Sequence, residues 1–166
     1  MSSLRERKRN EFNKGLVVQR RFVDAAVSLG FTTKDATKSE DINDHVDVWL
    51  WHTGKGPWGV DVKGGVSSKQ IWVEFKNVAG NPGWMFGKAK IIAFEIPEIC
   101  GFAIVDRIEL LLYSLDQVED EFVVKRDDSY KKKYTRAGRN DVISFLNIYD
   151  IRSLESFRVW PYSTDF

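Results

Sequence analysis

The amino-acid sequence predicts an α/β fold, with a mixed central sheet flanked by helices and a core order of αβββαβ. Three features predict it: a first segment with the apolar period of a helix, three later segments that alternate like strands, and a further strand and helix after residue 100. No repeat, proline-rich linker or low-complexity tract divides the 166 residues. We therefore expect a single domain over residues 1–166, with a core at about 15–115 and a C-terminal addition at about 116–166.

The first element is expected to be a helix from about Glu6 to Leu29, with Gly30 in the position that commonly ends a helix. Its buried stripe is expected to comprise the apolar residues Leu16, Phe22, Val23, Ala26 and Val27. Gln19 falls on the same stripe. It is therefore either a hydrogen-bonded interior amide or a polar group directed at a site, and the sequence leaves both interpretations open.

Alternating polar and apolar residues predict three central strands, Val46–Trp51, Trp58–Lys63 and Ile71–Asn77. The turn sequence HTGKGP joins the first two strands into a hairpin. The polar segment before them, TTKDATKSEDINDH, is expected to be a loop, with a short strand after Phe31 as an alternative.

Later elements follow from the same patterns. The pattern of Gly87–Ile96 fits both a helix and a strand, and we favour a short helix that runs into a strand. Phe102–Val105 is expected to be a strand. Ile108–Leu115 is expected to be a helix, and Asp141–Ile148 a strand in the C-terminal addition.

Strand alternation sorts the three central strands into two faces. The apolar face, suited to packing on a helix, would hold Val46, Val48, Leu50, Val60, Val62, Ile71, Val73 and Phe75. The opposite face would hold Asp47, Trp49, Trp51, Asp61, Lys63, Trp72, Glu74 and Lys76. Carboxylates on adjacent strands repel one another unless a cation compensates them. A divalent cation such as Mg²⁺, which takes a few carboxylates and keeps water in its other positions, is a natural compensation.

The spacing of these residues resembles that of the PD-(D/E)XK nuclease superfamily. Asp47 is followed fourteen residues later by Asp61-Val-Lys63, on a hairpin behind an N-terminal helix. The arrangement is especially similar to archaeal-type Holliday-junction resolvases and to small phage-encoded nuclease-like proteins. The latter carry a DVK motif, a WVE-type strand and a GWMFGKA-like segment, here Trp72–Glu74 and Gly83–Ala89. The resemblance spans about Gly15 to Leu110 and implies a restriction-endonuclease-like core.

The resemblance implies hydrolysis of phosphodiester bonds in DNA, with branched DNA as one candidate substrate. Asp47 and Asp61 would hold Mg²⁺ or Mn²⁺, and the backbone carbonyl of Val62 is a further candidate ligand. The metal would polarise the scissile phosphate and activate water. Lys63 would position or deprotonate that water, or stabilise charge on the phosphorane. Many members place a glutamate on the first helix, where this chain offers Gln19.

A second register fits the same motif. Asp61 is followed thirteen residues later by Glu74-Phe-Lys76. We prefer Asp47, Asp61 and Lys63 because they use a tight hairpin at the expected distance from the first helix. In the preferred register Glu74 still faces the site, as an additional ligand or as a group that orients one. Lys76 would then hold a phosphate or pair with Glu74.

The charge distribution suggests where DNA would bind. The formal net charge of +1 carries no signal, but basic residues concentrate between Arg5 and Arg21 and between Lys125 and Arg139. The candidate backbone contacts are Arg20, Arg21, Lys76, Lys131, Lys132, Lys133 and Arg136. Solvated surface runs are the alternative interpretation.

Two other functions keep the same fold. One is a catalytically inactive, nuclease-like DNA-binding module, suggested by Gln19. The other is a protein-interaction module that uses the six tryptophans and eleven phenylalanines. Trp49, Trp51 and Trp72 are expected to be core residues or, alternatively, platforms for base stacking. The resemblance to resolvases adds a homodimer as a candidate assembly.

Several classes of site and location are disfavoured. One cysteine excludes an internal disulfide and a cysteine zinc cluster, and two histidines are too few for an HNH site. The glycines do not form a phosphate-binding loop before a helix. No apolar run reaches the roughly 18 residues that cross a bilayer. We expect a cytoplasmic protein without membrane partners.

Overall fold

A computed structural model describes residues 3–64 and 69–163 of the chain. In these residues the chain forms a mixed α/β fold with two mixed sheets and four α-helices. The six strands of the larger sheet are, in spatial order, β1 (Thr32–Asp35), β2 (Val48–His52), β3 (Lys55–Lys63), β5 (Ile91–Ile96), β6 (Gly101–Asp106) and β10 (Arg158–Pro161). The four strands of the smaller sheet are, in spatial order, β4 (Gln70–Lys76), β9 (Val142–Asn147), β8 (Lys132–Tyr134) and β7 (Glu119–Val123). Among the described residues, no helix combines the length and apolar character that a bilayer span requires.

The first helix, α1, extends over Leu4–Ser28 and starts with a capping box between Ser3 and Glu6. The predicted helix is therefore confirmed, but the predicted stripe is only partly correct. The buried residues of α1 are Val18, Phe22, Ala25 and Ala26. Leu16 and Val27 are 48% and 54% exposed. Leu16 is exposed because only the second half of α1 packs on the sheet and residues 3–17 are all exposed. Val27 lies in the packed half but on its solvent-facing side.

The predicted hairpin is confirmed as β2 (Val48–His52) and β3 (Lys55–Lys63), which pair antiparallel. The polar segment before it contains the short strand β1 (Thr32–Asp35) and the helix α2 (Lys38–Asp44). The expectation of a loop was therefore wrong for α2. A capping box starts this helix but none of its residues is buried, so hydrophobic periodicity gave no signal.

The third predicted strand forms as β4 (Gln70–Lys76), but it lies in the smaller sheet, paired with β9 (Val142–Asn147). The expectation that it extends the sheet of the hairpin was wrong. The neighbour of β3 is β5 (Ile91–Ile96), which runs parallel to it. Alternation identifies a strand but carries no information on its partner, and the partner of β4 lies about seventy residues away.

The segment before β5 also differs from expectation. A single 3₁₀ turn occupies Trp84–Phe86, and residues 87–90 are irregular, so the short helix expected from Gly87 is absent. The strand β6 (Gly101–Asp106) and the helix α3 (Arg107–Gln117) confirm the predicted strand and helix. The remaining elements are β7 (Glu119–Val123), β8 (Lys132–Tyr134), α4 (Ile148–Ile151) and β10 (Arg158–Pro161).

Two hydrophobic clusters hold the layers together. The first lies between α1 and one face of the larger sheet and includes Phe22, Ala26, Leu50, Val60 and Phe102. The second lies on the opposite face and includes Val46, Ile71, Val73, Trp84, Ile92, Phe94, Leu110 and Leu146. Val46, Ile71 and Val73 were expected to share a face with Val48 and Val60, and that expectation was wrong. The predicted polar face of β3 therefore contacts a second layer.

Candidate active site

The structure brings Asp47, Asp61 and Lys63 together where the hairpin meets the second layer. Asp47 lies one residue before β2, and its backbone N–H donates to the carbonyl of Val60, at 2.8 Å. Its carboxylate Oδ2 accepts from the backbone N–H of Val62, at 2.7 Å. This bond ties the side chain of Asp47 to the residue between Asp61 and Lys63. The pairing of the hairpin thus sets the position of all three groups.

Asp61 is buried, with 3% of its surface exposed. One carboxylate oxygen, Oδ1, forms an ion pair with Lys63 Nζ at 2.8 Å. The other oxygen, Oδ2, is buried and has no hydrogen-bond partner among the described residues. Buried polar atoms are nearly always satisfied, so an unpartnered carboxylate oxygen marks a place for a further ligand.

Asp47 is electrostatically coupled to Asp61. Burial, reinforced by the negative charge of Asp61, raises the pKa of Asp47 to about 7, although the Val62 N–H and Lys63 act in the opposite direction. A buried carboxyl group whose ionisation is opposed by a neighbouring negative charge is a favourable place for a cation. A bound cation would reverse this shift because it stabilises both charges.

Two tryptophan rings hold the ammonium group of Lys63. Its Nζ lies 4.9 Å from the ring centre of Trp84 and 5.7 Å from that of Trp72. The two rings meet edge to face at 5.7 Å. Cation–π attraction holds the ammonium group between the rings and restricts its movement. Trp49 and Trp72 pack against the second hydrophobic cluster, which agrees with the core interpretation for these two side chains.

Glu74 reaches the same region from the other sheet. It is 8% exposed, and its Oε1 accepts from the backbone N–H of Trp84 at 3.3 Å. Burial raises the pKa of Glu74, while the Trp84 N–H and then Lys63 lower it. A side chain at Gly83 would overlap Glu74, since its Cβ would lie 2.4 Å from the Glu74 carbonyl oxygen. Gly83 is thus what allows the turn before Trp84 to approach β4.

Lys76 is separated from this group by a β-bulge. In the pairing of β4 with β9, Glu74 lies opposite Ile143 and Lys76 opposite Val142, so the alternation shifts by one residue between them. Lys76 is exposed and lines a cavity with Phe122 and Lys133 instead. The structure therefore groups Lys63, and not Lys76, with Asp61. The residues of the second register, Asp61, Glu74 and Lys76, do not converge.

Gln19 lies beside Asp47. Its amide Nε2 donates to the backbone carbonyl of Asp47 at 3.5 Å, and the side chain is partly buried. An amide in this position lies next to the acidic pair but does not contact either carboxylate in the structure. Both expectations for Gln19, interior amide and site residue, are compatible with this placement.

The other predicted DNA contacts lie outside the cluster and are paired with carboxylates. Arg20 pairs with Asp24 at 3.5 Å, and Arg21 with Glu95 at 2.6 Å. On the smaller sheet, the pairs are Lys131 with Asp150, Lys132 with Glu121, Lys133 with Asp120, and Arg136 with Asp141. These four predicted contacts are thus balanced locally by acidic neighbours.

A divalent metal ion fits the donor set of the acidic pair. Among residues 3–64 and 69–163, no three histidine, cysteine or acidic side chains are grouped closely enough to hold a metal ion. Two carboxylates nevertheless match Mg²⁺, which is commonly held by one or two carboxylates with water and phosphate in the remaining positions. The unpartnered Oδ2 of Asp61 is the observation that favours such an ion.

One contributor to the site, Trp84, was not predicted as a site residue, although it lies in the Gly83–Ala89 segment on which the resemblance depends. Trp84 contacts Lys63 through its ring and Glu74 through its backbone N–H, and its buried indole N–H has no partner among the described residues. A tryptophan after a glycine, next to a predicted turn, was the available signal.

Comparison with protein-family models, curated proteins and solved structures gives no significant match, so the interpretation of this site depends on its geometry.

Proposed function

We propose that this chain is a metal-dependent DNA endonuclease of the PD-(D/E)XK type. The observation that carries the proposal is the cluster of Asp47, Asp61 and Lys63, in which a buried carboxylate oxygen of Asp61 has no protein partner among the described residues. An acidic pair can hold the divalent ion that metal-assisted phosphodiester hydrolysis uses, and a neighbouring lysine can bind the attacking water or a phosphate oxygen.

In this proposal Asp47 and Asp61 hold Mg²⁺ or Mn²⁺, with the Val62 carbonyl as a further candidate ligand. When bound, the ion supplies positive charge at the scissile phosphate. Lys63 donates a hydrogen bond to the attacking water or to a phosphate oxygen, and the rings of Trp72 and Trp84 keep its ammonium in place. Burial of the cluster strengthens each of these interactions, because few water molecules screen them.

The arrangement of elements supports the restriction-endonuclease-like interpretation. The helix α1 covers one face of the sheet, and the hairpin β2–β3 carries the acidic residues and the lysine. The strand β5 follows in parallel with β3, and β6 and α3 come next. This succession shares its start with the expected αβββαβ order if β5 takes the place of the third strand. It then has one strand more than that order, because β6 pairs antiparallel with β5 after a single 3₁₀ turn and precedes α3.

The test is cleavage of plasmid, single-stranded and four-way-junction DNA with Mg²⁺ or Mn²⁺. We expect cleavage by the wild type and a loss of at least 100-fold in Asp61→Asn and Lys63→Gln. The matched control is Asp120→Asn, which also removes a carboxylate paired with a lysine but on the exposed surface of the smaller sheet. Equal activity in Asp61→Asn and Asp120→Asn would assign the chemistry to another site.

A second candidate keeps the fold and lacks the reaction. Gln19 stands where many nucleases of this type have a glutamate, and the described residues contain no group of three metal-ligating side chains. These observations favour a nuclease-like DNA-binding module. Metal binding and DNA binding by the wild type, without cleavage of any of the three substrates, would support it over the enzyme.

A further inference from the structure

The first half of α1 projects from the body of the protein. Residues 3–17 are all exposed, including Leu4 and Phe12 at 71% and 67%. At the rise of an α-helix, the segment Leu4–Val17, which we call the arm, is about 21 Å long. An unsupported helix of this length is marginally stable in water. The arm is therefore expected to gain stability from a partner.

The charges of the arm favour a polyanion as that partner. Leu4–Val17 contains five basic and two acidic residues, a net charge of +3 in a chain whose total is +1. Arg5, Lys8, Arg9 and Lys14 have no carboxylate within ion-pair distance in the part of the chain that the structure describes. The predicted contacts Lys131, Lys132 and Lys133 on the smaller sheet differ, since each of them has an acidic neighbour. Unpaired cations are the ones that can exchange counterions for phosphates.

The arm leaves the body next to the candidate active site. Val18, the first buried residue of α1, packs so closely on Gly64 that a Cβ there would lie 2.6 Å from its Cγ2. Gly64 directly follows Lys63, and Gln19 contacts the backbone of Asp47. The arm is the part of α1 that precedes Val18, so its basic residues extend outward from a point beside the acidic pair.

A groove runs beneath the arm, between its inner face and the end of β5. The groove has a volume of about 630 Å³ and is lined by Asn10, Asn13, Lys14, Arg21, Glu95 and Pro97, among others. Glu95 is neutralised by Arg21 at 2.6 Å and accepts from the Tyr162 hydroxyl at 2.5 Å. The remaining polar side chains, two amides and a lysine, are donors that commonly contact phosphate oxygens.

We propose that the arm and its groove bind the phosphodiester backbone of duplex DNA beside the scissile phosphate. The inference rests on the proposed function, since it assigns the flanking contacts of the same substrate. With a rise of about 3.4 Å per nucleotide, an arm of this length covers about six phosphates. The arm thus contributes affinity for DNA that does not depend on the base sequence, while the acidic pair and Lys63 act on the scissile phosphodiester bond.

The test is a fluorescence-anisotropy titration of a labelled 20-base-pair duplex in EDTA, so that binding is measured without cleavage. The arm variant replaces Arg5, Lys8, Arg9 and Lys14 with glutamine, which preserves helix propensity. The control variant replaces four other exposed cations with glutamine: Lys38, Lys55, Lys125 and Arg152. Both variants lose the same formal charge. Circular dichroism checks that both are folded.

We expect the arm variant to lower the slope of log affinity against log salt by about three to four and to weaken binding more than tenfold at 50 mM salt. The control variant should change the slope by less than one. Equal slopes in the two variants would overturn the proposal. So would a wild type that sediments as a dimer and dissociates in the arm variant without a change in DNA binding, because the arm would then pair with a second copy.

The outcome is separable from that of the proposed function. In one outcome, the arm variant binds and cleaves DNA like the wild type, and Asp61→Asn does not cleave. That result would contradict the role of the arm and support the nuclease. In another outcome, the arm variant loses DNA binding and the wild type does not cleave DNA in Mg²⁺ or Mn²⁺. That result would support the role of the arm and favour the inactive DNA-binding module.

Discussion

The two carboxylates of the candidate active site are held in different ways. Asp47 receives a backbone N–H from Val62, whereas Asp61 pairs with Lys63 through one oxygen and leaves the other without a protein partner among the described residues. Both are close enough to interact electrostatically, and burial increases that interaction. Burial and the neighbouring charge of Asp61 therefore make the ionised form of Asp47 unfavourable when no cation is bound.

This coupling predicts a pH dependence of stability. The pKa of Asp47 is raised to about 7, so the native protein holds a proton that the unfolded chain releases near pH 4. The proton on Asp47 contributes fully to the stability of the native protein below about pH 4, and this contribution is lost as the pH rises through about 7. In EDTA, we expect the free energy of unfolding of the wild type, relative to Asp47→Asn, to fall by about 2 kcal/mol between pH 5.5 and 8.

Urea unfolding of both proteins at the two pH values measures the difference. The side chain introduced by Asp47→Asn keeps an oxygen that can accept from the Val62 N–H, so the comparison isolates the charge. Parallel pH profiles for the two proteins would show that Asp47 titrates at an ordinary pKa.

The elements of the chain were predictable where the signal was local. Hydrophobic periodicity identified α1, and alternation identified β2, β3 and β4. The same patterns could not place β4 in the smaller sheet, because its pairing with β9 depends on a contact across about seventy residues.

For the site, the hairpin alone positions Asp47, Asp61 and Lys63, so their proximity followed from local sequence. Trp84 contacts Lys63 through tertiary packing, and the alternation of polar and apolar residues along a strand cannot predict such a contact.

The bulge in β4 predicts different roles for Glu74 and Lys76. Glu74 lies near Lys63 and Trp84, whereas Lys76 is exposed on the other side of the bulge. We expect Glu74→Gln to reduce the rate of DNA cleavage at least tenfold and Lys76→Gln to change it less than twofold. Initial rates of plasmid nicking measure both.

A Lys76→Gln variant that is inactive, together with a Lys63→Gln variant that is active, would support the register of Asp61, Glu74 and Lys76. Thermal unfolding of the Glu74 variant is the control for loss of structure, because the Glu74 carboxylate also accepts from the backbone of Trp84.

At the scale of the whole molecule, the C-terminal residues belong to both sheets. The strand β9 pairs with β4, and β10 pairs with β6. Leu146 and Ile151 are fully buried in the second hydrophobic cluster, together with Val73 and Trp84. The layer that holds Trp72, Trp84 and Glu74 against Lys63 is thus completed by residues beyond 140.

This organisation predicts that residues 1–115 do not fold as an independent unit. Without β9 the strand β4 loses the partner that the structure gives it, and buried apolar side chains become exposed. We expect the truncated chain to lack a cooperative unfolding transition and a dispersed amide NMR spectrum. A truncated chain that unfolds cooperatively and retains metal-dependent cleavage would show that the second layer is dispensable.

The central claim is that Asp47 and Asp61 together hold a divalent cation. Isothermal titration calorimetry with Mn²⁺ at pH 8 tests it most directly, with Asp61→Asn and the surface control Asp120→Asn. We predict one site in the wild type and in Asp120→Asn, an affinity at least 100-fold weaker in Asp61→Asn, and weaker binding by the wild type at pH 6, where a proton competes at Asp47. Equal Mn²⁺ affinity in Asp61→Asn and the wild type, or no binding by either, would contradict the claim.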